Sequence, residues 1–234
     1  MILKNTLYIK IINTPMGQLV GGVINNKLCY LYFIDGERAI DKLIQTAKAL
    51  RAEIICCESE KDLEESQENV KHQELFKAIY KYNDCTNNTT VNKADFFDNP
   101  YARNRKPVDK NQPLFIEIQE ELDQYFAKER KKFDIPLCFV GSPFQKQVWK
   151  SLGNIPFGES RSYHQQAEYL GRLNAIRAVA NSNGQNRILI LVPCHRVISS
   201  DGSINGYSAG IWRKKELLEL EGIFKSTQKL PGFF

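Results

Sequence analysis

The stretch SYHQQAEYLGRLNAIRAVANSNG, residues 162–184, decides how the C-terminal part of the chain folds. Ser162-Tyr163 precedes a short helix carrying Ala167 and Leu170 and terminated by Gly171. Asn174 then caps a second helix, Ala175–Ser182, which stops at Asn183-Gly184. Two short helices joined by a tight glycine-containing turn form the pattern of a helix-turn-helix. The second helix sets Arg177 among the small residues Ala175, Ala178 and Ala180. Small side chains let a helix approach another surface closely, where a long cation can probe it. A helix–helix seam with Arg177 in a salt bridge has the same composition, and the pattern alone favours that seam.

Working outward, Ser142-Pro143-Phe144-Gln145 is a strong helix start. Serine stands at the cap, proline at the first helical position, and glutamine completes a capping box. Phe144, Val148 and Leu152 line one face before Gly153. Downstream, Ile188–Val192 reads as a buried strand-like run ended by Pro193, and Cys194-His195-Arg196 follows. A cysteine ending an apolar element, with histidine and arginine beside it, is placed for its thiolate to be stabilised by positive charge. Adjacent side chains usually point apart, so a water-bridged Cys–His contact is the easier geometry. A buried cysteine and a satisfied histidine would explain the dipeptide equally well.

The first 50 residues alternate as strands do: Leu7–Ile12, Leu19–Ile24 and Leu28–Phe33, with turns at Thr14-Pro15-Met16-Gly17 and Asn25-Asn26-Lys27. A helix is expected through Ala39, Leu43, Ile44, Ala47 and Leu50. Residues 51–112 are rich in charged and amide side chains and read as a long insertion or linker, with a short helix possible around Gln73–Tyr82. Leu114–Lys128 returns to helical periodicity, and Phe133–Val140 reads as a strand. The chain divides on this reading into an α/β domain, 1–140, and a domain carrying the helix-turn-helix and the cysteine, 141–234.

Composition excludes some classes. Hydrophobic content of 42% and charge of 25% are those of a globular protein. The opening residues read as a strand rather than a signal peptide, and no apolar run reaches bilayer length. An intracellular protein without membrane contact is expected, cytoplasmic or, in a eukaryote, nuclear. The six cysteines are scattered without a Cys-x-x-Cys pair and the three histidines lie far apart, so neither a disulfide framework nor a metal site is expected. The net charge of +5 is uneven: residues 141–234 hold 12 Lys/Arg against 6 Asp/Glu, leaving 20 against 21 before them. A basic C-terminal part suits a phosphate-binding module, although a solvated basic face has the same balance.

Pro193-Cys194-His195-Arg196-Val197 is similar to the active-site signature of the O6-alkylguanine-DNA alkyltransferases. In the same order, Gly141–Gln145 with Val148-Trp149, Ile155–Gly158, Ser162-Tyr163, Ala175–Ala180, Asn186, Asn205–Ser208 with Gly210, and Leu217-Leu218 with Glu221-Gly222 also resemble that family. The match is continuous over about residues 141–224 and looser over the first 34 residues. It does not extend to 51–112.

The resemblance implies a ribonuclease-H-like N-terminal domain, a small antiparallel sheet plus helix, followed by a mostly α winged-helix-like DNA-binding domain. It implies transfer of an alkyl group from O6-alkylguanine, and from O4-alkylthymine, to Cys194, irreversibly and once per molecule, after the nucleotide leaves the duplex. His195 acts as base through water, Glu221 orients His195, and Asn186 braces the turn before the cysteine. Tyr163 helps rotate the nucleotide and donates to the guanine. Tyr207 forms a pocket wall and Ser208 a backbone donor towards O6, while the carbonyls of Cys194 and Val197 accept from the exocyclic amine. Arg177 is the intercalating finger, on a helix whose Asn174, Ala175 and Ala178 lie against DNA. The implied partner is double-stranded DNA, with no cofactor and a monomeric protein. Leu189 and Ala209 would line the pocket and tune its tolerance of large alkyl groups.

Two rivals belong to other classes. A non-catalytic alkylated-DNA-binding protein of the alkyltransferase-like type would lack the acceptor cysteine. A methylation-responsive transcription regulator would need a zinc-binding cysteine cluster and a second DNA-binding module. A cysteine hydrolase would need an oxyanion-hole motif and a separate base.

Overall fold

The computed structural model describes residues 5–57, 70–87 and 112–224, without the side chains of 84–87. Its N-terminal part is a four-stranded sheet formed by β1 (Asn5–Thr14), β2 (Gly17–Ile24), β3 (Lys27–Phe33) and β4 (Ala52–Cys56), in the order β3-β2-β1-β4. The β1–β2 and β2–β3 pairs are antiparallel, as the alternation and turns predict. Asn25 and Asn26 both have positive φ, a conformation asparagine tolerates at a two-residue turn. The sheet is nevertheless mixed, because β4 pairs in parallel with β1.

That pairing corrects the reading of residues 51–112. Helix α1 (Ala39–Leu50) crosses from β3 to β4 and buries Ala39, Leu43 and Ala47. Helix α2 (Val70–Asn87) then returns, with Leu75, Ile79 and Tyr82 buried and the Asn83 amide bonded to the Ile54 N–H and C=O at 3.1 and 2.8 Å. The helix around Gln73–Tyr82 is present and longer than expected. Five residues of β4 carry too short an alternation to stand out from their charged neighbours. The rest of the supposed insertion lies outside the described residues.

Helix α3 (Pro113–Phe126) packs Leu114, Phe115, Ile118, Leu122 and Tyr125 into the core. Phe133–Val140 is not a strand. It touches the edge of β3 through Leu28 N–H to Pro136 O and Cys138 N–H to Leu28 O, both 2.8 Å, and proline interrupts any continued ladder.

Beyond it, α4 (Pro143–Leu152) starts at Ser142 with both hydrogen bonds of the capping box in place. The two-residue strand β5 (Arg161–Ser162) leads into α5 (Tyr163–Tyr169), again boxed by Ser162 and Gln165. A 3₁₀ turn, Leu173–Ala175, precedes α6 (Ile176–Gly184). Ala175, not Asn174, is the cap of α6, and it makes no side-chain capping bond. Strand β6 (Val197–Ile198) pairs in parallel with β5, and α7 (Ile211–Leu220) closes the described chain.

Ile188–Val192 is also not a strand. Only Ile188 bridges to Leu31; Leu189–Leu191 turns, with φ of 70° at Ile190. An apolar run this short has no periodicity to separate a strand from a buried turn. No helix among the described residues is long and apolar enough to cross a membrane.

Candidate active site

The buried turn after α6 is held by one side chain. The Asn186 amide nitrogen lies 2.8 Å from Val192 O, 3.3 Å from Ile188 O and 3.2 Å from Cys194 Sγ, while its oxygen accepts the Ile188 N–H at 3.0 Å. Asparagine brings both a donor and an acceptor to a turn with few repeating backbone bonds. Cys194, His195 and Arg196 follow as one 3₁₀ turn, all three buried.

His195 and Arg196 both point to Glu221, the residue just after α7. His195 Nε2 is 2.9 Å from Glu221 Oε1, and Arg196 donates Nε–H to Oε2 at 2.8 Å and Nη2–H to Oε1 at 2.9 Å. The Tyr125 hydroxyl of α3 adds a bond to Oε1 at 2.7 Å. Burial pushes the Glu221 carboxyl up, but His195 and Arg196 outweigh it and hold it at about 2. An ionised carboxylate only accepts, so Nε2 carries the hydrogen and Nδ1 keeps a lone pair. Burial lowers the His195 pKa against the pull of Glu221, favouring the neutral ring. Nδ1 is buried with no hydrogen-bond partner among the described residues. This is the form of a proton acceptor with a fixed tautomer.

The thiol differs from the expectation in one respect. Burial pushes the Cys194 thiol up, while the Asn186 amide and then the ammonium groups of Lys214 and Lys42 pull it down. Arg196 is committed to Glu221 and to Ile155 O, at 2.7 Å. Positive charge thus reaches the sulfur from Lys214 on α7 and Lys42 on α1, not from its sequence neighbours. The sequence reading missed both lysines, as it missed Tyr125. An isolated lysine in an amphipathic helix carries no signal of what it faces.

Cys194 opens into a cavity of about 410 Å³, lined also by Tyr163, Ala180, Asn183, Gly184, Gly206, Tyr207 and Ser208, and by Tyr32, Glu37, Arg38 and Lys42 of the N-terminal part. The Tyr207 hydroxyl and Ser208 Oγ are buried and lack hydrogen-bond partners among the described residues. Burial and the nearby thiol raise the Tyr163 pKa, keeping its phenol a donor; it now reaches Asn205 O at 3.4 Å. The Val197 carbonyl accepts from Lys214 Nζ at 2.6 Å, and the Cys194 carbonyl accepts the Val197 N–H. Each carbonyl retains a second lone pair. Leu189 and Ala209 are buried and absent from the cavity lining. No group of three or more His, Cys, Asp or Glu side chains among the described residues could hold a metal ion.

Asn174, Arg177 and Ala178 are exposed, and Ala175 is half-buried, at the N-terminal end of α6. Arg177 makes no ion pair or side-chain hydrogen bond among the described residues, so the packing-seam alternative loses its salt bridge.

A helix-turn-helix set against a pocket that ends on a braced cysteine, with a Glu–His pair behind it, defines a DNA-binding protein with a covalent acceptor. Residues 143–223 match the family described as 6-O-methylguanine DNA methyltransferase, DNA binding domain. The chain is 47% identical over 124 residues to the methylated-DNA–protein-cysteine methyltransferase of Mycolicibacterium paratuberculosis, covering 53% of this chain and 75% of that one. The like-named protein of Methanosarcina acetivorans is 46% identical over 113 residues, 48% and 72% of the two chains. The crystal structure of Mycobacterium tuberculosis OGT in complex with DNA superposes with a TM-score of 0.59 at 29% identity, covering 92% of each chain. The chain belongs to the methylated-DNA–protein-cysteine methyltransferase family.

Proposed function

We propose that this protein repairs alkylated DNA by moving the alkyl group from O6 of guanine, or O4 of thymine, onto its own Cys194. The observation that carries the reading is the pocket ending on Cys194, with Asn186 on the sulfur and the Glu221–His195 pair buried behind it. His195 Nδ1 takes the thiol proton through one bridging water. The thiolate attacks the alkyl carbon, the carbon–oxygen bond breaks as the carbon–sulfur bond forms, and the base leaves as an anion that regains a proton with help from the Tyr163 phenol. The thioether has no easy route back to thiol, so one molecule repairs one lesion.

The alkylated oxygen lies inside a stacked duplex, and extruding its nucleotide costs roughly a few kcal/mol. Arg177, unpaired at the exposed start of α6, fills the resulting gap, while Asn174, Ala175 and Ala178 allow close approach to a minor groove whose degenerate pattern suits damage in any sequence. Ser208 and Tyr207 hold the base, and the Cys194 and Val197 carbonyls accept from its exocyclic amine. The protein acts as a monomer, divided into units 1–140 and 141–234. The β3-β2-β1-β4 order, with a crossover helix before the parallel β4, supports a ribonuclease-H-like N-terminal unit. The helix pair beside β5–β6 supports a winged-helix-like C-terminal one.

Incubation with a duplex containing O6-methylguanine, followed by peptide mass spectrometry, tests the reading. One added methyl group is expected, on Cys194 and absent from Cys194→Ser. Repeated turnover by single molecules, or methylation elsewhere, would overturn it.

A further inference from the structure

Lys42 lies on α1, in the N-terminal unit, yet it is buried against the active-site turn. Its Nζ donates to Gly184 O at 3.0 Å, to Asn186 O at 3.3 Å and to the Tyr32 hydroxyl at 3.2 Å. Tyr32 in turn donates to Ser208 O at 2.8 Å. One ammonium group thereby ties together the two walls that the reaction uses: the turn whose Asn186 holds the sulfur, and the loop that carries Tyr207 and Ser208. It also borders the cavity into which Cys194 opens.

We propose that Lys42 is a positioning residue for alkyl transfer, fixing the Asn186 turn and the Ser208 loop at once and supplying from the N-terminal unit a positive charge that favours the Cys194 thiolate. The inference rests on the transfer reaction proposed above.

A structural cation alone would not need this placement. Burial lowers Lys42 to about 8, so the fold keeps an ammonium where desolvation disfavours it, and the Cys194 thiolate is the largest influence opposing that. The other charged and titratable groups facing it are Arg38 and Glu37 from the turn before α1, Arg187 from the segment after α6, and Tyr32 from β3. Arg38 and Arg187 act against its proton. Lys214 also supplies positive charge to the sulfur, from within the C-terminal unit.

The test compares Lys42→Gln, Lys42→Arg and Tyr32→Phe with the native protein and with Lys48→Met, a change at an exposed position of the same helix. Two readouts are used: the rate of methyl transfer from an O6-methylguanine duplex, and the rate at which iodoacetamide labels the Cys194 peptide at about pH 7. A charge of this kind moves a neighbouring pKa by about one unit or more, and each unit is tenfold in thiolate. Lys42→Gln, which keeps a donor but loses the charge, is expected to slow both labelling at about pH 7 and transfer about tenfold. Lys42→Arg should recover most of both, and its rate relative to the native protein should rise above about pH 8, where the native ammonium loses its proton. Tyr32→Phe should slow transfer and leave the labelling rate in place.

A folded Lys42→Gln protein with native transfer and labelling rates would overturn the proposal. If that variant does not fold, a Lys42→Arg to native ratio that stays flat with pH would do so. Absence of methyl transfer by the native protein would instead sink the underlying function, while the labelling rate still reads the effect of the Lys42 charge on the thiol.

Discussion

Glu221 receives hydrogen bonds from His195, Arg196 and Tyr125, and its whole side chain is buried. It therefore sets the histidine tautomer and neutralises a buried arginine. Held at about 2 against an ordinary 4.5, Glu221 binds its proton less readily in the folded protein than in the unfolded chain. Its contribution to stability is complete above about pH 4.5 and is lost as pH falls towards about 2, on the order of 3 kcal/mol. Urea unfolding across that range should show the loss in the native protein and a flatter profile in Glu221→Gln. At neutral pH the same variant should be less stable by about 3–5 kcal/mol, because Arg196 is left buried with only a neutral partner.

At the scale of elements, α5 and α6 separate two tasks. Ser162 caps α5 and so fixes the entry of Tyr163 into the pocket wall, with its hydroxyl accepting the Gln165 N–H at 3.1 Å. Ser162→Ala should lower stability by about 1 kcal/mol, measurable as a reduced melting temperature, since the helix start loses one of its few hydrogen-bond partners. Arg177, exposed at the start of α6, has no packing role to lose. Arg177→Ala should leave the melting temperature within error and slow repair of duplex DNA by about tenfold or more, as befits a lost offset of base extrusion. Reaction with free O6-methylguanine should be nearly unaffected; equal losses on both substrates would make Arg177 structural. Both helices are legible from residues 162–184 because their signals are local, the Ser162 start among them, although the cap expected at Asn174 is not formed.

At the scale of the whole molecule, the two halves share buried polar contacts as well as an apolar core. Arg213 on α7 donates to Met16 O at 3.1 Å, to Ala209 O at 3.0 Å and to Asp35 at 2.8 Å, and lies over the Phe33 ring. Arg213→Ala should lower stability by about 2–4 kcal/mol by leaving buried carbonyls unpaired. Calorimetry should still record one transition for the native protein if the halves unfold together. The chain's own order of residues determined the helix-turn-helix, the capping box at Ser142, the hairpin at Asn25-Asn26 and the acceptor motif Pro193–Val197, all of which depend on spacings of a few residues. It also pointed, through family resemblance, to Glu221 as partner of His195. Only the tertiary structure decided that Ala52–Cys56 joins the sheet beside β1, that Ile188–Val192 is a braced turn, and that Lys42 and Lys214 rather than Arg196 face the sulfur. Those outcomes depend on contacts between residues far apart in the chain, where burial and long-range hydrogen bonds outweigh what any short stretch prefers. For Cys194 the motif names the nucleophile, and the fold around it supplies the charge.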